Sequence, residues 1–133
     1  MSDHLQNTLR AGALLLGRLL IGGMFLYEGA SKIAIYGAAG AYMQKFGLPS
    51  ALLPLVIAME IAAGLCLIVG WQTRWAAFLL AGFTAMAALI FHHNFSNFNE
   101  MQFFEKDLAI AGGLLALFAG GGGEWSLDQY WRQ

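Results

Sequence analysis

An all-α integral membrane four-helix bundle with short interfacial segments is the fold that the sequence predicts, and three observations predict it. Of 133 residues, 59% are hydrophobic and only 11% charged, more apolar surface than a soluble domain of this size can bury. The apolar residues gather in four runs, at about 9–30, 52–69, 75–91 and 100–119, near the length of roughly 20 residues that a membrane-crossing helix needs. In three of these runs small residues recur at alternating steps of three and four, one face of a helix that packs against another. Residues 1–133 are read as a single four-span domain whose solvent is the lipid bilayer.

The first ten residues, MSDHLQNTLR, are polar and include an acid. The run after them is longer than a signal-peptide core and has no clear cleavage pattern, so it is read as a retained span. Arg18 interrupts it. On a helix Arg18, Gly22, Phe25 and Gly29 share a stripe, and a charge among glycines belongs against protein, not lipid. Glu28 and Lys32 stand one turn apart in the favourable acid-then-base order. The connection from about Ser31 to Pro49 mixes Tyr36 and Tyr42 with glycines, as interfacial segments do, and its middle is expected to form a short surface helix. Pro49 and Pro54 open the second span, where missing amides cost little, and Glu60 falls near its centre.

GWQTRW, residues 70–75, permits only a tight reversal, so spans two and three are antiparallel neighbours flanked by interfacial tryptophans. Along span three Ala81, Ala85, Ala88 and His92 share the helix-packing face, and His93 points about a third of a turn away. The stretch FHHNFSNFNEMQFFEKD, from Phe91 to Asp107, is the one long polar passage between two apolar segments. In it Asn99 and Gln102 have the spacing of a helix cap, and span four begins near Glu100. Glu105, Ala109, Gly112, Ala116 and Ala119 form its small-residue stripe, which places Glu105 inward. Gly120 to Gly123 end the helix, and Glu124 to Gln133, with Trp125, Tyr130 and Trp131, form an amphipathic interfacial tail.

Four antiparallel spans bring Glu28, Lys32, His92, His93, Asn94, Glu105 and Lys106 to one membrane boundary. Arg18 and Glu60 lie nearer mid-depth, where a lone charge costs several kcal/mol, and the simplest partner for each is the other. For orientation, Arg10, Arg74 and Arg132 on the termini side balance Lys32, Lys45 and Lys106 on the other, and Arg18 tips the count toward cytoplasmic termini.

The order and spacing of these residues resemble the DoxX family of small four-helix membrane proteins, and its YqjF-like bacterial branch, over nearly the whole chain. Arg18, Gly22, Gly23, Phe25, Gly29 and Lys32 look like the family's opening pattern, and Tyr42, Met43, Gly47 and Pro49 like its Tyr-Met and Gly-x-Pro elements. Glu60 with Gly64, the turn of Gly70, Thr73 and Arg74, and His92 followed by Asn94 and Phe95 continue the match. Lys106 to Gly113 resemble the opening of span four, with Asp107 where the family has asparagine, and Gly120–Gly123 and Ser126–Asp128 resemble its ending without the proline. The resemblance implies a bacterial inner-membrane location and a quinone-related role in a redox or detoxifying assembly.

The residues themselves offer one site for such a role. His92 can donate to a quinone carbonyl while Glu105 accepts or relays the accompanying proton, with Arg18, Glu28, Lys32, Glu60, His93, Asn94 and Lys106 as candidate ligand-binding groups. Phe91, Phe95, Phe103 and Phe104 could wall an apolar pocket. Cys66, the single cysteine, excludes an intramolecular disulfide and a thiolate cluster, and no haem, flavin or metal motif is evident, so a quinone ligand and a redox partner protein are the implied associates. Adjacent histidines diverge by about 100° on a helix, which disfavours a metal site. The near-neutral balance with scattered cations argues against nucleic acid. A homo-oligomer stays open, as do two other classes: a non-redox binder of lipid or hydrophobic solute, and a structural scaffold.

Overall fold

The computed structural model describes residues 2–132, and every regular element among them is helical. Helix α1 (Asp3–Ala34) begins where the Ser2 side chain accepts from the Leu5 amide at 3.2 Å. Its 32 residues span about 48 Å, longer than the hydrocarbon core of roughly 30 Å, because the polar residues before Leu9 continue the helix beyond the expected span. Helix α2 (Tyr36–Lys45) is the expected short helix of the connection. After one 3-10 turn (Ser50–Leu52), α3 (Leu53–Val69) carries Pro54 in its first turn and ends on Gly70 at φ +75°. The reversal is completed by Gln72 at φ 52°, and α4 (Thr73–Phe91) follows. Helix α5 (Phe98–Gly120) is capped by Asn97, whose side chain accepts from the Asn99 and Glu100 amides. The cap therefore lies two residues before the expected Asn99. The tail forms one turn, α6 (Leu127–Tyr130).

By length and composition three helical segments qualify as membrane spans, at residues 3–34, 50–69 and 73–91. The fourth expected span corresponds to α5, whose first half carries Glu100, Glu105, Lys106 and Asp107 and so falls short of the same standard. Many large apolar side chains point outward, among them Leu20, Leu55, Met86 and Leu89, each more than 60% exposed. Such a surface requires lipid around it.

Helices α1 and α3 pack along their glycine faces. The buried residues of α1 are Ala11, Arg18, Gly22, Phe25 and Gly29, which contain the stripe read from the sequence. A β-carbon on Gly22 would stand 2.7 Å from the Gly64 carbonyl, and one on Gly64 would stand 2.9 Å from the Gly22 carbonyl, so the backbones touch where the glycines face each other. Helix α4 buries Thr73, Ala76, Ala77, Leu80, Ala81, Thr84 and Ala88; of the face read from the sequence, Ala81 and Ala88 are buried and Ala85 and His92 partly covered.

Helix α5 departs from expectation. It buries Ala111, Leu114 and Leu117, with Phe104, Asp107 and Ile110 partly covered, while Glu105, Ala109, Gly112, Ala116 and Ala119 face outward. The physical reason lies in its partner. The face of α4 is already built from alanines, and Leu114 and Leu117 fill the space those alanines leave, so the complementary surface is the bulky one. A second apolar cluster, Met43, Leu53 and Ile57 with Ala39 and Phe91 against it, fastens α2 beneath the ends of α3 and α4.

Candidate site at the histidine end

Two of the charges expected near mid-depth are buried, but they do not meet. Arg18 is fully buried and donates through Nη1 to the carbonyls of Leu67 at 3.2 Å and Ile68 at 3.4 Å, and through Nη2 to the Trp125 carbonyl at 2.5 Å. The antiparallel register sets Arg18 against the last turn of α3, whose unpaired carbonyls and negative dipole end suit a cation. Glu60 lies two turns away, about 10 Å along the helix. Its partner is Lys32, with Nζ 2.9 Å from Oε1, and Lys32 also stands 3.6 Å from Glu28. The expected Arg18–Glu60 pair is thus replaced by two separate arrangements, because register, not depth, decides who can reach whom.

His92 takes a comparable turn. It sits just past the last residue of α4, on the packing face as read, and its Nδ1 donates to Glu100 Oε2 at 2.9 Å. Nε2 lies 3.8 Å from Asp107 Oδ2. The six-residue connection returns the chain so tightly that the first turn of α5 comes back under the ring. Glu100 and Asp107 are seven residues apart and share one face of α5, with Phe103 between them at 5.4 Å from the imidazole centroid. Glu105 is on the outer face and makes no contact with His92, so the expected His92–Glu105 pair is corrected to His92 with Glu100 and Asp107.

Around the histidine, Tyr42 stacks on Phe91 at 5.3 Å, Phe46 meets both rings, and Phe95 meets Phe104 edge-on at 5.0 Å. Partial burial first, and then the nearby Glu100 carboxylate, hold the Tyr42 hydroxyl above the ordinary tyrosine range. His93 donates its Nδ1 back to the Ile90 carbonyl at 3.0 Å, and Asn94 accepts from Ser96, so both engage their own segment. Lys106 is exposed. The charged groups of this half of the molecule thus form two clusters, Glu28, Lys32 and Glu60 on α1 and α3, and His92, Glu100 and Asp107 between α4 and α5.

Three partners escaped the sequence reading. Glu100 and Asp107 carried a usable signal, since residues 100, 104, 107, 111 and 114 also step by four, three, four and three, a second stripe that competes with the small-residue one. Asp128 was not visible in this way. Its two oxygens accept from the Gln72 amide at 2.7 Å and the Thr73 amide at 2.9 Å, so the tail caps the start of α4.

The sequence profile of the family described as DoxX matches residues 13–93. The chain is 39% identical over 115 residues to the inner membrane protein YqjF of Escherichia coli (strain K12), covering 86% of this chain and 88% of that protein. It is 32% identical over 123 residues to the inner membrane protein YphA of the same organism, covering 87% and 88%. No solved structure matches.

Proposed function

The chain belongs to the DoxX family, and on that premise we propose that its histidine end receives the headgroup of a lipid-soluble quinone, as the membrane subunit of a redox or quinone-detoxifying assembly. It is a multi-pass protein of a bacterial inner membrane. In the proposed topology α5 is the fourth span of a four-helix bundle, the termini are cytoplasmic, and the His92 end faces the other side.

The observation that carries this reading is the state of the His92 ring. With Nδ1 donating to Glu100, Nε2 lies beyond hydrogen-bond distance of Asp107 and is free for a ligand: in the neutral ring it accepts from a quinol hydroxyl, and in the doubly protonated ring it donates to a quinone carbonyl oxygen. Phe103 beside the imidazole and the Phe95–Phe104 pair in the adjoining connection and α5 offer apolar surface that would suit a flat ring with polar oxygens. A quinone held there would supply a two-electron, two-proton couple, its electrons coming from a redox partner protein because the chain carries no flavin, haem or iron–sulfur motif.

In its doubly protonated form His92 holds the proton to be delivered at Nε2, and Asp107 stands on that side to restore it. Glu100 orients the ring. Glu28, Lys32 and Glu60 extend the proton-holding groups inward, while His93, Asn94 and Lys106 form the polar rim. Arg18 is assigned to structure, and Glu105 has no part in the site.

Mass spectrometry of the organic extract from gently purified protein tests the proposal. Near-stoichiometric quinone in the wild type and in Glu105→Gln, lost from His92→Ala, supports it. Equal traces in all three overturn it and favour a non-redox binder of lipid or hydrophobic solute, or a scaffold.

A further inference from the structure

We propose that the opposite end of the molecule carries a binding site for the phosphate of an anionic phospholipid. A cavity of about 350 Å³ opens between the start of α4, the glycine turn at residues 120–123 and the tail, and Arg10, Arg74 and Arg132 line it. Among the described residues none of the three arginines forms an ion pair, and Arg10 makes only a 3.4 Å bond to the Gly120 carbonyl. Glu124 and Asp128 also line the cavity but form no ion pair with them, and three arginines against two carboxylates leave the lining one positive charge in excess. Asp128 spends both oxygens on backbone amides, and Glu124 is exposed.

An independent observation points to a ligand in the same place. Thr73 lines the cavity, is fully buried, and its hydroxyl has no hydrogen-bond partner. The wall is also shaped for close approach: Gly121 adopts φ +75°, and a β-carbon there would stand 3.2 Å from Arg74 Nε, so the guanidinium lies against bare backbone. Unpaired guanidinium groups beside an unpartnered hydroxyl are donors awaiting an oxyanion, and phosphate suits their geometry.

Depth selects the source of that phosphate. All four tryptophans of the chain, Trp71, Trp75, Trp125 and Trp131, are at this end. Trp75 lines the cavity at 71% exposure, and Trp71 meets Trp131 edge-on at 6.4 Å. Tryptophans settle at the headgroup level of a bilayer, so the cavity lies where lipid phosphates are, and an anionic lipid is its natural occupant.

Native mass spectrometry of the full chain from detergent micelles doped with phosphatidylglycerol or phosphatidylcholine tests the site. Wild type should retain phosphatidylglycerol over phosphatidylcholine. The double variant Arg74→Gln/Arg132→Gln should retain it about thirty-fold less, roughly fivefold per arginine. Lys45→Gln, at the other end, should behave as wild type. Arg132→Gln alone, an exposed position in the tail, should give an intermediate loss and guards against misfolding of the double variant. Equal retention of both lipids, or equal loss in the arginine double variant and in Lys45→Gln, overturns the proposal. Inorganic phosphate supplies the remaining arm: if millimolar phosphate alone raises the melting temperature and displaces phosphatidylglycerol, the site takes free phosphate and the lipid assignment falls.

Discussion

The two ends of this molecule both bury a charge, and they treat it in opposite ways. At the tryptophan end Arg18 is surrounded by neutral carbonyls from α3 and the tail, and a guanidinium does not lose its proton in a protein. At the histidine end Glu60 is 2% exposed, its partner Lys32 26%, and the next group, Glu28, 50%, so each step outward reaches another titratable side chain. One arrangement holds a fixed charge; the other is a series of titratable groups that leads outward, the feature the proposed function would use. An intramembrane charge is thus a pointer to chemistry when its partners titrate and lead to the surface, and a pointer to architecture when they do not.

The comparison breaks most visibly at Arg18. Arg18→Met should leave the Leu67, Ile68 and Trp125 carbonyls without their donor and cost on the order of 3 kcal/mol in thermal or detergent unfolding. Arg18→Lys should recover only part, since one ammonium does not reproduce the fork that spans α3 and the tail. Gly70→Ala should follow, at about 2 kcal/mol, because its φ is +75° and the new β-carbon would meet Arg18 Nη1. Gly17→Ala, with nothing within 4 Å of the added carbon, should be silent in the same assay.

A double-mutant cycle sharpens the contrast between the ends. Lys32→Met and Glu60→Gln should couple by about 1–2 kcal/mol, whereas Arg18→Met and Glu60→Gln should add to within about 0.5 kcal/mol. Coupling of Arg18 instead of Lys32 would restore the mid-depth pair that the sequence first proposes. Asp128→Ala should cost about 1 kcal/mol as a lost cap of α4, with melting measured against the wild type. The smallest effect belongs to Glu105→Gln, which should change neither melting nor ligand retention, since its side chain points away from the site.

Most of the helices were legible without any structure, for a physical reason that the bilayer supplies. Apolar length marks the spans, and the Arg18–Gly22–Phe25–Gly29 and Ala81–Ala85–Ala88–His92 stripes identify inward faces because few side chains allow helices so close. The same rule failed for α5. Small residues mark a packing face only if the partner does not already supply them, and α4 does. A preference learned from one helix is therefore incomplete when packing is a property of two.

A helical membrane protein of the DoxX family, the positions of its long apolar helices, the inward face of α1 and part of that of α4, and the common end of Glu28, Lys32 and His92 all follow from the order of residues alone. Periodicity and hydropathy are local properties, and those conclusions need nothing else. Only the tertiary structure decided that Arg18 serves the end of α3, that Lys32 answers Glu60, that Glu100 and Asp107 take the place of Glu105 beside His92, and that the tail locks onto the Gly70 turn. Each of those depends on the register between helices and on how tightly a connection returns, quantities fixed by the packing of distant segments and absent from any single one of them.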